Sequence, residues 1–257
     1  MTNNKVALVM GGGAGTGRAT CLAFARAGYR VVVADIHGDA AEKTAGLLRD
    51  EQHQAIAVSA DMSRAEQVQA AVACAEQEFG GLHAVSNNAA LATANTPLVE
   101  LSEADWDRCF STTLRGVWLC LKYQLPLIEA SGGGAIVNIA SVAGMRGDPM
   151  QGAYAAAKAG VINLSKTAAT EYARRGVRVN TVCPGGINSG GMAFYLDQMD
   201  EEMRQRVLDT HAMGRLAEPS EVADAAVYLC SEQASFITGH DLVVDGGILV
   251  RSNVLDV

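Results

Sequence analysis

The chain is predicted to fold as an α/β protein, a doubly wound parallel sheet of seven strands with helices on both faces. Three observations predict it. Apolar runs of strand length alternate with longer stretches of helical period. The runs are near-continuous in Val, Ile, Ala and Leu, without polar alternation, as strands buried on both faces require. No Pro/Gly/Ser linker, repeat or low-complexity tract interrupts the alternation across the 257 residues. Right-handed crossovers between parallel strands then place helices on both sides of the sheet.

The elements follow in order. Residues 6–10 (Val-Ala-Leu-Val-Met) form the first strand and lead through a glycine turn into a helix over 15–27. A second strand at 31–34 precedes a helix at 39–51, and a third at 55–59 precedes one at 65–79. The strand at 82–86 is followed by one long helix over about 103–129, and that at 135–140 by a helix over 152–174. Strands at 177–183 and 242–244 complete the set, so one domain spans 1–257. The irregular stretch 184–218 opens with glycines and is then rich in Met, which suits either a lid over a substrate or a decorated surface helix.

Composition narrows the function. With 20 Lys+Arg against 28 Asp+Glu the net charge is −8, which argues against a nucleic-acid or anionic-membrane partner. The six cysteines include no C-x-x-C pair and read as free buried thiols in a reducing cytoplasm. The five histidines show no metal spacing, so no metal is expected. No apolar run reaches the ~18 residues of a membrane span.

Chemistry concentrates at strand ends. Gly11-Gly12-Gly13-Ala14-Gly15-Thr16-Gly17 follows the first strand and opens the first helix. Glycines there permit a tight turn and close backbone approach, and the helix N-terminus offers N–H groups to a phosphate. Asp35 ends the second strand, where a carboxylate accepts both ribose hydroxyls of NAD and repels a 2′-phosphate; neither Ile36 nor Ala14 brings a positive charge. Tyr154 and Lys158, at i and i+4, share one helix face with small alanines between them. An ammonium beside a phenol is expected to lower its pKa from about 10. Ser141 stands at the C-terminal end of the fifth strand, where ligands of open α/β sheets bind.

Together these residues resemble the short-chain dehydrogenase/reductase family in its single-domain, Rossmann-type form, from Lys5 to about Leu249. The glycine turn matches, as do Asp61, Asn87-Asn88-Ala89-Ala90 (the family's N-N-A-G), Ser141 with Tyr154 and Lys158, Pro184-Gly185-Gly186-Ile187-Asn188-Ser189 (P-G-x-x-x-T) and Val244-Asp245-Gly246-Gly247. The resemblance implies cofactor contacts from Gly11, Ala14, Gly15, Thr16, Gly17, Asp35, Ile36, Asp61, Met62, Asn88, Ala89, Ala90, Tyr154, Lys158, Pro184, Gly185, Ile187 and Ser189. Four positions depart from the pattern: Met10 for Thr, Ala90 for Gly, Ser189 for Thr, and Thr113 for the catalytic Asn.

The resemblance implies hydride transfer between NAD and a secondary alcohol or ketone. Tyr154 would act as acid/base, Lys158 would hold the ribose and depress the Tyr154 pKa, and Ser141 would bond the substrate oxygen. Thr113 would keep the bend that the family's Asn gives the fourth helix, and its hydroxyl or a shifted water would complete the proton relay. Ser141, Ala143, Met145, Gln151, Tyr154 and Met192, with Thr93, Phe194 and Tyr195, are candidate substrate contacts, and their mostly apolar character favours an uncharged hydrophobic or cyclic small molecule. Two alternatives stay open: an NADPH-linked 3-oxoacyl carrier reductase and a non-catalytic NAD-binding sensor. The family's usual assembly implies a homotetramer, with two helices, 103–129 and 152–174, paired across a two-fold axis.

Overall fold

A computed structural model of the chain describes residues 4–251; the ends of the expected domain, 1–3 and 252–257, lie outside the described residues. Seven parallel strands pair in the order β3-β2-β1-β4-β5-β6-β7. They are β1 Val6–Met10, β2 Arg30–Asp35, β3 Ala55–Ser59, β4 Ala84–Asn87, β5 Gly134–Ile139, β6 Val177–Pro184 and β7 Asp241–Val244. The helices between them are α1 Gly15–Arg26, α2 Gly38–Asp50, α3 Ala65–Phe79, α4 Glu103–Phe110, α5 Gly116–Ala130, α6 Gly152–Tyr172, α7 Gly190–Asp197, α8 Glu201–Leu208 and α9 Pro219–Cys230.

Side chains alternate across each strand, so β1 feeds two cores. Val6, Leu8 and Met10 join Val68, Leu119 and Val161 under α3, α5 and α6. Ala7 and Val9 join Phe24, Leu48, Val222 and Leu229 under α1, α2 and α9. The chain leaves β1 toward β2 on one side and returns to β4 on the other, and that reversal opens a crevice at the strands' C-terminal ends. No helix of the described residues is long and apolar enough to cross a membrane.

Most element ends match the expected ones to within two residues, but three features differ. The expected helix over 103–129 is two helices joined by a π-helical turn, Ser111–Arg115, in which the Gly116 N–H reaches back to the Ser111 carbonyl. The stretch 184–218 contains α7 and α8. Helix α9 was not anticipated, although Pro219 at its first turn and a reciprocal Glu218/Glu221 capping box both mark its start.

Candidate active site

The crevice is built from turns that end the strands. Gly11 takes φ +81, and the Gly11 and Gly12 N–H groups both donate to the Ala34 carbonyl, at 2.7 and 2.9 Å. A Cβ on Gly17 would lie 1.8 Å from the Gly11 oxygen, so only glycine lets α1 start against the turn. Ala14, the N-cap of α1, supplies no side-chain cap, which leaves the helix's first N–H groups to an anion. Across the crevice, Met10's carbonyl accepts the Asn88 and Ala89 N–H groups at 2.9 and 3.3 Å, so β1 and the β4 loop do face each other with Met10 in place of Thr.

Asp35 lies beside this turn. Its Oδ2 accepts the Gly13 N–H at 2.9 Å and its Oδ1 the His37 N–H at 3.0 Å. Each oxygen retains a lone pair, which suits two hydroxyl donors. Ile36 is exposed alongside. Asp61 is half-buried, its Oδ1 accepting the Ser63 N–H and hydroxyl of its own turn, both at 2.8 Å, and the Met62 side chain is buried in the core. Asn88 donates to the Ser86 carbonyl and hydroxyl at 3.1 Å, while its buried Oδ1 has no partner among the described residues. Ala89 packs against the core and Ala90 is exposed. Ser189 comes within van der Waals distance of the α1 start, 3.5 Å from where a Gly15 Cβ would be, so the Pro184–Ser189 segment, with Gly185 and Ile187 half-buried, closes the other side.

Ser141, Tyr154 and Lys158 meet at the ends of β5 and α6. Ser141 accepts the Ala143 N–H at 3.1 Å. A Cβ on Gly144 would sit 2.7 Å from the Lys158 carbonyl carbon, so this turn packs directly on the α6 backbone. Lys158 is 2% exposed; its Nζ donates to the Ile139 carbonyl at 2.5 Å and lies 5.6 Å from the Tyr154 ring centroid. Burial pushes its pKa down to about 8, against the opposing pull of Cys183 and Cys109. The Tyr154 pKa is pushed up, not down: burial dominates, the Ser141 side chain favours the phenolate, and Cys109 opposes it. Desolvation of the phenolate outweighs the other influences on this group, and the Lys158 ammonium is not among them.

Thr113 sits 1% exposed in the π-helical turn. Its hydroxyl accepts the Leu91 N–H at 3.0 Å and donates to the Leu91 carbonyl at 3.2 Å, which also accepts the Cys109 thiol at 3.1 Å. Of the substrate candidates, Ala143 is buried, Met145 and Met192 are exposed, and Gln151 donates to Asn95 across the mouth between α6 and the β4 loop. The Thr93 hydroxyl is buried without a partner among the described residues. The side chains of Phe194 and Tyr195 lie outside the described residues.

Beneath the site is a polar network that the sequence reading missed. Asn87 and Gln124 exchange two hydrogen bonds at 2.9 and 3.1 Å, Asn87 donates to Asn138 at 2.8 Å, and Asn138 donates to Ser165 at 2.8 Å. All four are buried, and they tie β4, β5, α5 and α6 together. The signal available was a polar residue inside an apolar run, as in Ile136-Val137-Asn138-Ile139.

Comparison with known proteins follows the same outline. A family model described as Enoyl-(Acyl carrier protein) reductase matches residues 11–249. Cyclohexanol dehydrogenase of Acinetobacter sp. (strain SE19) is 42% identical over 244 residues, 95% of this chain and 94% of that protein. The chain belongs to the short-chain dehydrogenase/reductase family. Cis-4-hydroxycyclohexanecarboxylate dehydrogenase of Sinomonas cyclohexanicum is 40% identical over 243 residues, covering 95% and 96% of the two chains. The crystal structure of levodione reductase superposes with a TM-score of 0.91 at 31% identity, covering 96% of this chain and 98% of that one. As a short-chain dehydrogenase/reductase, the protein is an oxidoreductase that transfers hydride between a nicotinamide cofactor and an alcohol or ketone. The uncapped α1 N-terminus, the two spare lone pairs of Asp35 and the unpartnered Asn88 Oδ1 fit such a cofactor.

Proposed function

We propose that this dehydrogenase uses NAD and acts on a secondary alcohol carried by an uncharged ring. Asp35 carries the cofactor reading. Its carboxylate closes β2 beside the glycine turn with one lone pair free on each oxygen, so it suits two ribose hydroxyls and repels a 2′-phosphate. The ring is supported by two relatives named for cyclohexane-ring alcohols, one of which carries a carboxylate; the absence of charge is supported by the other, named for cyclohexanol, and by the adaptable apolar surface of Met145 and Met192.

Residues 11–17 and the α1 N-terminus would hold the pyrophosphate, Asp35 a ribose, Asn88 a further hydroxyl, and Pro184–Ser189 the nicotinamide end. Bound nicotinamide supplies the hydride acceptor or donor. The Tyr154 phenol exchanges a proton with the substrate oxygen, and Ser141 bonds that oxygen and favours the phenolate. Lys158, with its pKa pushed down to about 8, is the adjoining group able to take up and return that proton. Thr113 acts as a positioning residue: its hydroxyl proton is committed to Leu91, which leaves it holding the β4 loop rather than passing protons.

Residues 184–218, with α7 and α8, would serve as the lid, and the enzyme would work as a cytoplasmic homotetramer. A groove of 800 Å³ between α4–α5 and α6, lined by Phe110, Leu114, Trp118 and Leu164, supports pairing through these helices. The test of function is kcat/KM for NAD and NADP with cyclohexanol and open-chain secondary alcohols. NAD should be favoured by more than about tenfold, or ~1.4 kcal/mol, and Asp35→Ala should narrow the gap. Equal use of both cofactors overturns the Asp35 reading, and better turnover of open-chain alcohols overturns the ring.

A further inference from the structure

His211 follows α8 and is buried; it lies within the stretch 184–218, but no role of its own is assigned to it above. Its Nε2 accepts the Gly186 N–H at 2.9 Å. A ring nitrogen that accepts carries no proton, so the proton belongs on Nδ1 and the imidazole is neutral. Nδ1 lies 3.1 Å from the Thr210 hydroxyl, which itself donates to the Val207 carbonyl at 2.7 Å. The ring also fills the space over the Pro184–Gly186 turn: a Cβ on either Gly185 or Gly186 would meet it at 3.0 Å. Gly186 is held at its other end too, its carbonyl accepting the Ala217 N–H at 2.9 Å.

We propose that His211 is a positioning residue whose neutral imidazole holds the Pro184–Gly186 turn in the form that receives the nicotinamide end of the cofactor, so that protonating this one ring weakens cofactor binding. The inference rests on the reading that this turn contacts the cofactor. Protonation turns Nε2 from acceptor to donor and sets it N–H against N–H with Gly186.

The surroundings oppose that protonation. Burial pushes the His211 pKa down, the carbonyls of Leu208 and Val207 and the Asp245 carboxylate favour the cation, and the Arg146 guanidinium disfavours it. The Asp245 carboxylate is already occupied by the Gly247 and Leu249 N–H groups at 2.8 and 2.9 Å. Arg251 faces the His211 backbone carbonyl, 3.5 Å away. With the folded pKa lowered, cofactor affinity is intact at neutral pH and is lost as the pH falls through that pKa.

The test measures the NADH dissociation constant by fluorescence from pH 8 to 5 and follows the His211 ring proton by NMR, assigned by its absence in His211→Gln. Glutamine keeps an amide acceptor for Gly186 but does not titrate. Wild-type affinity should fall about tenfold per pH unit below the His211 pKa, as loss of one proton-linked state requires. His211→Gln should bind within about threefold of wild type at pH 8 and stay flat. Saturating NADH should move the His211 midpoint to lower pH, because linkage is reciprocal. An acid limb that persists in His211→Gln overturns the proposal, as does a midpoint that NADH leaves unmoved. Repeating the titration with NADPH reads the same effect whichever dinucleotide is preferred, so failure of the Asp35 reading is distinguishable from failure of this one.

Discussion

Thr113→Val isolates what the hydroxyl in the π-helical turn does. Valine preserves the branched shape in a site that is 1% exposed, so packing is nearly unchanged while the acceptor of the Leu91 N–H, at 3.0 Å, is removed. The Leu91 carbonyl retains the Cys109 thiol at 3.1 Å, so the loss falls on the N–H alone. A part-buried donor left unpaired costs about 1–3 kcal/mol. For a chain of this size each kcal/mol lowers Tm by roughly 2–4 °C, so a mid-range cost predicts a fall of about 4–8 °C. Leu91 adjoins Ala89 and Ala90 at the cofactor crevice, so kcat should fall about tenfold, or ~1.4 kcal/mol, with the NADH dissociation constant within about threefold of wild type. Scanning fluorimetry and steady-state kinetics read both effects. Thr113→Ser keeps the hydroxyl, loses about 0.8 kcal/mol of buried methyl, and should retain most activity. If valine melts and turns over like wild type, or serine is as damaged as valine, the hydroxyl does not hold this loop.

Two further outcomes concern alkaline stability and assembly. Alkaline stability reflects opposing groups: Lys158, pushed down to about 8, sheds its proton before the unfolded chain does and favours the fold as pH rises, whereas Cys230 and Tyr29, each pushed up to about 12, keep theirs longer and disfavour it. Cys21 and Cys120 are pushed up further by burial, so thermal stability should fall as pH rises above about 9, and Cys120→Ala should make that fall shallower by up to one proton, ~1.4 kcal/mol per pH unit; an unchanged slope refutes the assignment. In assembly, light scattering should give four copies of the 26.8 kDa chain, and Leu164→Glu, in the groove beside Trp118, should split it; a wild-type monomer at micromolar concentration refutes the tetramer.

The parallel sheet was legible because its strands are continuous apolar runs, and the crevice because Gly11–Gly17 and Asp35 stand at strand ends. Tyr154 and Lys158 were legible as a pair from helical spacing, but the direction of the Tyr154 shift was not, since burial is a property of the packed site. The break between α4 and α5 falls at Thr113, where the resemblance implies a bend; its π-helical form and the tie from Thr113 to Leu91 in a different loop are what local propensity does not encode. Ser111-Thr112-Thr113 only weakens the helix there. Helix α9 carries its own start signal, Glu218-Pro219-Ser220-Glu221, directly after the Gly- and Met-rich stretch. The hydrogen bond from Gly186 to His211 joins residues 25 apart in the chain, so no local pattern encodes it.

The buried set Asn87, Gln124, Asn138 and Ser165 bears on how this enzyme can be altered. Each member satisfies another, so replacing one strands a polar group in the interior, at about 1–3 kcal/mol, while replacing partners together with apolar groups of matching shape can be nearly neutral. Effects of changes within the set are therefore non-additive. A library that samples these positions one at a time will score each as intolerant, and a library that samples them jointly will find acceptable combinations. Asn138 lies on β5 just before Ser141, and Ser165 on α6 with Tyr154 and Lys158, so the network underlies both elements that carry the catalytic side chains. Epistasis under the active site is thus a route by which substrate preference can drift while every catalytic residue stays in place.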